Sequence, residues 1–245
     1  MPDPLDADLW VLRPAIFDGE TEEALLDRFG PLLSDDERVR QKRSPLERIR
    51  RQYLLTRALA RTALSQYCRI EPAEWRFAAG PKGRPHIEAP QPGVPLDFNL
   101  SHAEGMIVCL VGPIRMIGVD VEFSRRVTEL AEVARRFFSP AEVSGLLALP
   151  ESERRDRFFA LWTLKEAYIK ARGLGLALPL DAFSYSFDAD GGASIAFDRR
   201  IDDDPAAWRF ARFALSDDHP CAVALRVGAA GSCSITIRET SLPPR

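Results

Sequence analysis

The chain has 245 residues, 46% of them hydrophobic and 28% charged, with a formal charge of -3, which is enough apolar content for one large or two small domains and excludes a disordered chain or a dedicated nucleic-acid binder. No apolar run reaches the roughly 18 to 20 residues of a membrane span, and the opening Met1-Pro2-Asp3-Pro4-Leu5-Asp6 has neither the basic region nor the apolar core of a secretory signal. The cysteines Cys68, Cys109, Cys221 and Cys233 are scattered without a C-x-x-C pair, so the sequence reads as a cytoplasmic protein with reduced, structural thiols.

In chain order, Ser34-Asp35-Asp36-Glu37 has the S-x-x-E form of a capping box, in which the serine oxygen and the glutamate satisfy free amides at a helix start. The basic run from Arg38 to Arg51 then calls for a local anion site. Tyr53 to Ala60 is apolar enough for a central helix covered by other elements. Phe98-Asn99-Leu100-Ser101-His102, leading into Met106 to Val111, reads as a loop-to-strand unit, and Gly112-Pro113 marks a division. In Gly118-Val119-Asp120-Val121-Glu122 the acidic residues alternate with valines, so Asp120 and Glu122 leave one face of a strand about 7 Å apart, a spacing that one hard cation could bridge. Ser139-Pro140-Ala141-Glu142 is a second capping box. Arg157 to Arg172 has helical periodicity, with Glu166 and Lys170 one turn apart and Glu166 available as a third oxygen ligand. Gly173-Leu174-Gly175 stops that helix. Phe213 to Ser216, leading into Cys221 to Leu225, closes the chain with another loop-to-strand unit.

Three of these segments recur in the same order at offsets of about 105 to 115 residues: capping box, apolar helix and loop-to-strand unit. The expected fold is therefore α+β, with two similar halves at 1–112 and 113–245 related by a pseudo-twofold axis. Only the second half carries the acidic pair and the K-E-x-x-x-K helix, whereas the first contributes basic residues and His102. A site using both is expected in a cleft between the halves.

Each motif taken alone has a plainer reading. G-V-D-V-E also describes a surface strand, and Lys165, Glu166 and Lys170 also form solvated i,i+4 pairs. Trp162 is also a core residue, His102 a core histidine at a strand start, and Arg43 and Arg51 a solvated helix face. With His86 and His219 the only other histidines, and none at metal-ligand spacing, a zinc enzyme is not expected. The P-loop, Rossmann and nucleophile-elbow patterns are absent from the sequence.

The ordered set F-N-L-S-H, G-V-D-V-E, F-F-S-P-A-E and W-T-L-K-E-A-Y-I-K with G-L-G-L after it resembles the larger, surfactin-synthetase type of 4′-phosphopantetheinyl transferase over most of the chain. The resemblance implies transfer of 4′-phosphopantetheine from coenzyme A to a serine of an acyl or peptidyl carrier protein, dependent on Mg2+, by a monomer of pseudo-dimeric fold acting without nucleic acid or membrane. It implies Asp120, Glu122 and Glu166 as metal ligands. Lys165, Lys170, Ser101 and His102 become coenzyme A contacts, and Glu166, Lys170 and His102 the catalytic groups. The K-G-R-P turn supplies Lys82 or Arg84 to the nucleotide end, and Arg43 and Arg51 face the 3′-phosphate, with Gln52 competing for the second place. Glu166 is left as ligand, base or both, because an ordinary carboxylate beside a cation is a poor proton acceptor at neutral pH. Arg125-Arg126 and Arg135-Arg136 form a basic surface for an acidic carrier. Two other classes use the same parts: a magnesium-dependent phosphohydrolase of coenzyme A-like diphosphates, and a non-catalytic coenzyme A-binding protein.

Overall fold

Ala7–Leu12 (β1) is followed by three helices, Glu22–Phe29 (α1), Asp35–Lys42 (α2) and Glu47–Leu64 (α3), in a computed structural model that describes residues 6–126, 129–228 and 231–242. A hairpin, Arg76–Ala79 (β2) and Pro85–Ala89 (β3), and a second one, Asp97–Ala103 (β4) and Met106–Gly112 (β5), complete the first stretch. The turn between β4 and β5 is only Glu104-Gly105, and Gly105 takes the φ of 78° that such a tight reversal needs. Every residue of β5 is buried, as suits a strand paired on both edges, with Cys109 opposite Trp10 of β1 and Leu100 of β4. Against it lies α3, whose Leu54, Leu55, Ala58, Leu59, Ala63 and Leu64 follow the helical period into one core with Phe98, Ile107 and Val111.

The next stretch repeats that order of elements. Ile117–Val121 (β6) leads to Leu130–Phe137 (α4), Pro140–Ala148 (α5) and the 22-residue Glu151–Arg172 (α6). The hairpin Phe183–Phe187 (β7) and Ala193–Phe197 (β8) and the strands Trp208–Ala214 (β9) and Pro220–Arg226 (β10) follow. β10 is the middle strand of a sheet ordered β6-β10-β9, and α6 packs on β6 and β10. Both capping boxes form as expected, Ser34 with Glu37 at α2 and Ser139 with Glu142 at α5. α6 begins at Glu151, earlier than the expected Arg157, and ends where Gly173 turns left-handed at φ 64°.

Two compact units result, one of Met1–Arg115 with Ile235–Arg245 and one of Met116–Ser234. The division expected at Gly112-Pro113 gave everything after it to the second half. The last strand, Ile235–Thr240 (β11), instead pairs parallel with β1 and completes a sheet ordered β11-β1-β5-β4. Its anchor is Asp8, almost fully buried, which receives Arg238 Nε at 2.8 Å on one oxygen and the Tyr67 hydroxyl on the other. Among the described residues no helix is long and apolar enough to cross a membrane. All four cysteines are free.

Candidate active site

Gly118 sets the distance between β6 and α6. A Cβ there would stand 2.0 Å from the carbonyl oxygen of Ala167 and 2.5 Å from the amide nitrogen of Ala171, so only glycine lets strand and helix backbones touch. That contact carries Asp120, two residues along β6, up to the last turns of α6. Asp120 is 4% exposed, and Lys170 Nζ lies 2.7 Å from its Oδ1. Glu122 follows the strand end, where its amide donates to Pro220 O at 3.1 Å and its Oε1 accepts from Trp162 Nε1 at 3.0 Å. Glu166 lies one turn after Trp162 and one turn before Lys170 on α6.

The electrostatics of these three carboxylates are those of a crowded anionic site. Burial pushes the Glu122 carboxyl up to about 7, the charge of Asp120 adds to the rise and that of Glu166 adds less, while the indole of Trp162 and the ammonium of Lys170 oppose it. Glu166 is raised too, by burial first and by Asp120 second, again against Lys170. Buried like charges are tolerable only when a cation or a proton offsets them.

Among the described residues no three His, Cys, Asp or Glu side chains already stand at metal-holding spacing. Lys170 occupies one oxygen of Asp120, and Trp162 occupies one of Glu122. The donors themselves fit a hard cation, being all oxygen, mostly shielded, and three carboxylates against the one ammonium, Lys170, that acts on them among the described residues.

Lys165 departs from the expectation that it meets coenzyme A. Its side chain is 0% exposed, with Nζ 2.9 Å from Glu142 Oε2 and donating to Leu180 O at 2.8 Å and Phe183 O at 2.6 Å. Burial drives its pKa down and Glu142 resists that fall. The reason is helical geometry: five residues turn the chain by about 140° from where it began, so Lys165 and Lys170 cannot share a face.

In the first unit, Ser101 and His102 alternate on β4, the serine buried and the imidazole exposed. Lys82 is exposed in the β2–β3 turn, whereas Arg84 lies back on Asp97 at 2.8 Å. Burial raises the pKa of Asp97, and Arg84 counters it. Arg51 is a second correction. It donates Nη1 to Glu20 O at 2.9 Å and Nη2 to Phe17 O at 2.8 Å, which ties α3 to the segment before α1 and turns two of its donors to the backbone instead of the expected phosphate.

Arg43 is exposed and lines a cleft of about 760 Å3 with Arg40, Arg57, Arg76, Tyr53 and Phe77. Within it Arg57 Nε and Nη1 and the Tyr53 hydroxyl are buried without a hydrogen-bond partner among the described residues, although Glu37 Oε1 stands 3.5 Å from Arg57 Nε. An anion would satisfy such donors. Arg40 belongs to the basic run expected to form an anion site, whereas the sequence reading missed Arg57 and Arg76. The i,i+4,i+8 row of Tyr53, Arg57 and Arg61 on α3 was a legible signal for one polar face. Of the expected carrier surface, Arg125 pairs with Asp218 at 2.8 Å, Arg135 and Arg136 are exposed on α4, and the side chain of Arg126 lies outside the described residues.

Residues 116–224 match the family model described as the 4′-phosphopantetheinyl transferase superfamily, a span holding all three carboxylates and Lys170. The chain is 36% identical over 155 residues to the 4′-phosphopantetheinyl transferase HetI of a Nostoc species, covering 63% of this chain and 65% of that protein. It is 35% identical over 170 residues to the 4′-phosphopantetheinyl transferase Sfp of Bacillus subtilis, covering 69% and 73%. Among solved structures, a holo-[acyl-carrier-protein] synthase from Neisseria meningitidis aligns with 46% of this chain and 97% of its own at 19% identity and a TM-score of 0.38. On the identity to Sfp and the extent of Sfp that it spans, the chain belongs to the 4′-phosphopantetheinyl transferase superfamily, in its larger Sfp-type branch, and is an enzyme of that class.

Proposed function

We propose that the chain transfers 4′-phosphopantetheine from coenzyme A to a serine hydroxyl of an acyl or peptidyl carrier protein, with magnesium, and releases adenosine 3′,5′-bisphosphate. The observation that carries the site assignment is the group formed by Asp120, Glu122 and Glu166 around Lys170, where burial and mutual repulsion disfavour the ionised carboxylates and a cation would offset them. Asp120, Glu122 and Glu166 would hold the ion. Magnesium bound there supplies charge neutralisation and polarisation of the diphosphate.

The protein's own groups account for the remaining demands. Lys170, partly exposed at 28%, can leave Asp120 and place its ammonium on oxygen that gains charge as the bond to the leaving nucleotide breaks. Glu166, on α6 one turn from Lys170, is the proton acceptor for the serine hydroxyl in this reading. His102 offers an exposed imidazole to an anionic substrate, with Ser101 beside it on β4. The arginine-lined cleft of the first unit, with Arg43, and the exposed Lys82 suit a phosphate-bearing nucleotide. Cytoplasmic residence and action as a monomer belong to the same reading.

Mass spectrometry of an apo carrier protein incubated with the chain, coenzyme A and magnesium tests this. A gain of about 340 Da on the carrier, the mass of the arm, is expected. Nucleotide release without a carrier would point to a phosphohydrolase, and binding without turnover to a coenzyme A-binding protein.

A further inference from the structure

Trp162 sits in a box of aromatic rings. Its indole stacks on Phe158 with centroids 5.9 Å apart and 12° between planes, meets Phe137 edge-on at 5.8 Å, and lies 6.3 Å from Phe138. Those rings leave the indole little freedom, and its one polar atom, Nε1, points at Glu122 Oε1 from 3.0 Å. Glu122 has the opposite character. It is the first residue past a strand end, pinned through its own amide to Pro220 O, and carries a side chain with three rotatable bonds. A rigid donor thus meets a flexible carboxylate.

We propose that Trp162 is a positioning residue for cation binding, its indole N–H taking one oxygen of Glu122 and holding that carboxylate in the orientation the ion needs. The inference rests on the magnesium reading above. A tryptophan kept only to fill space would be replaceable by any ring of its size, whereas here the nitrogen itself does the work. Groups that hydrogen-bond a ligating side chain typically change metal affinity by about 10- to 100-fold when removed. Trp162 stands one turn before Glu166 and touches Glu122, so one side chain bridges the helix to the end of the strand.

Two replacements separate the nitrogen from the bulk. Trp162→Phe keeps a ring in the box and removes the donor. Benzothienylalanine at position 162 keeps the bicyclic shape and puts sulfur in place of N–H. Isothermal titration of Mg2+ into each protein saturated with coenzyme A, without carrier, measures the ion's affinity, and coenzyme A affinity in chelator serves as the control. Both replacements should weaken Mg2+ by about tenfold and leave metal-free coenzyme A binding and the circular dichroism spectrum as in the wild type. Mg2+ affinity within about twofold of wild type in the benzothienylalanine protein would overturn the inference, and that protein decides alone if Trp162→Phe does not fold. If the wild type itself takes up no Mg2+, the metal reading falls and this inference with it. Equal Mg2+ binding in all three proteins overturns the role of Trp162 only.

Discussion

Lys165 Nζ lies 2.9 Å from Glu142 Oε2 with the two side chains 0% and 2% exposed, so the lysine of the W-T-L-K-E segment fastens α6 to the capping box of α5. Glu142 serves the Ser139 amide and hydroxyl and the Tyr185 amide at the same time. The first unit uses the same device. Arg61, also 0% exposed, sets Nη2 2.5 Å from Glu37 Oε2 in the other capping box and lies over the ring of Phe77. Removing the cation from such a pair leaves a buried, uncompensated carboxylate, so Lys165→Met should lower stability by about 3 to 5 kcal/mol in chemical denaturation. Adding Glu142→Gln should recover part of the loss. Unchanged stability in the single variant would show that the pair is solvated.

Gly118→Ala is expected to separate β6 from α6, because the new methyl would meet backbone atoms of Ala167 and Ala171, which cannot rotate away. A loss of about 3 kcal/mol or more in denaturant unfolding should accompany loss of activity. A variant as stable and active as the wild type would mean that the strand tolerates a shift here.

Asp120→Ala should abolish transfer and leave the fold intact. Its partner Lys170 is exposed enough to regain water, so the stability cost should stay within about 1 kcal/mol, while turnover should fall by about a hundredfold or more. Unfolding, or ordinary turnover with magnesium present, would count against the assignment of Asp120.

The pH dependence follows from Glu122, raised from 4.5 to about 7 by burial and then by Asp120. A carboxyl with a higher pKa in the folded state binds more protons folded than unfolded. In chelator its contribution is therefore greatest below the unfolded value and declines as pH rises from 4.5 to about 7. Magnesium needs the deprotonated form, so the rise in melting temperature that Mg2+ produces should grow between about pH 5.5 and pH 8. A rise independent of pH would exclude Glu122 as a ligand.

Charge reversal at Arg135 and Arg136, exposed on α4, should raise the KM for the carrier protein and leave that for coenzyme A unchanged. Steady-state kinetics with each substrate varied separately reads this. Equal effects on both constants would remove the docking role from α4.

Features that depend on a few neighbouring residues were readable from the chain itself. The two S-x-x-E boxes form, the strand expected over Gly118 to Glu122 runs over Ile117–Val121 with Glu122 just past its end, and the helix bearing Glu166 and Lys170 stops at Gly173. Period, capping and turn chemistry operate over one or two turns, so local pattern suffices for them. The ordered motifs likewise carried the family resemblance. Partners distant in sequence were decided by packing alone. Lys165 looked like a ligand-binding cation until Glu142, Leu180 and Phe183 closed over it, and Arg51 until the carbonyls of Phe17 and Glu20 took its donors. β11 found its place beside β1 across more than two hundred residues, and the indole of Trp162 met Glu122 across forty. No short-range pattern encodes those pairings, because a side chain's partner is set by which surfaces the hydrophobic cores bring together, and that is a property of the whole folded chain.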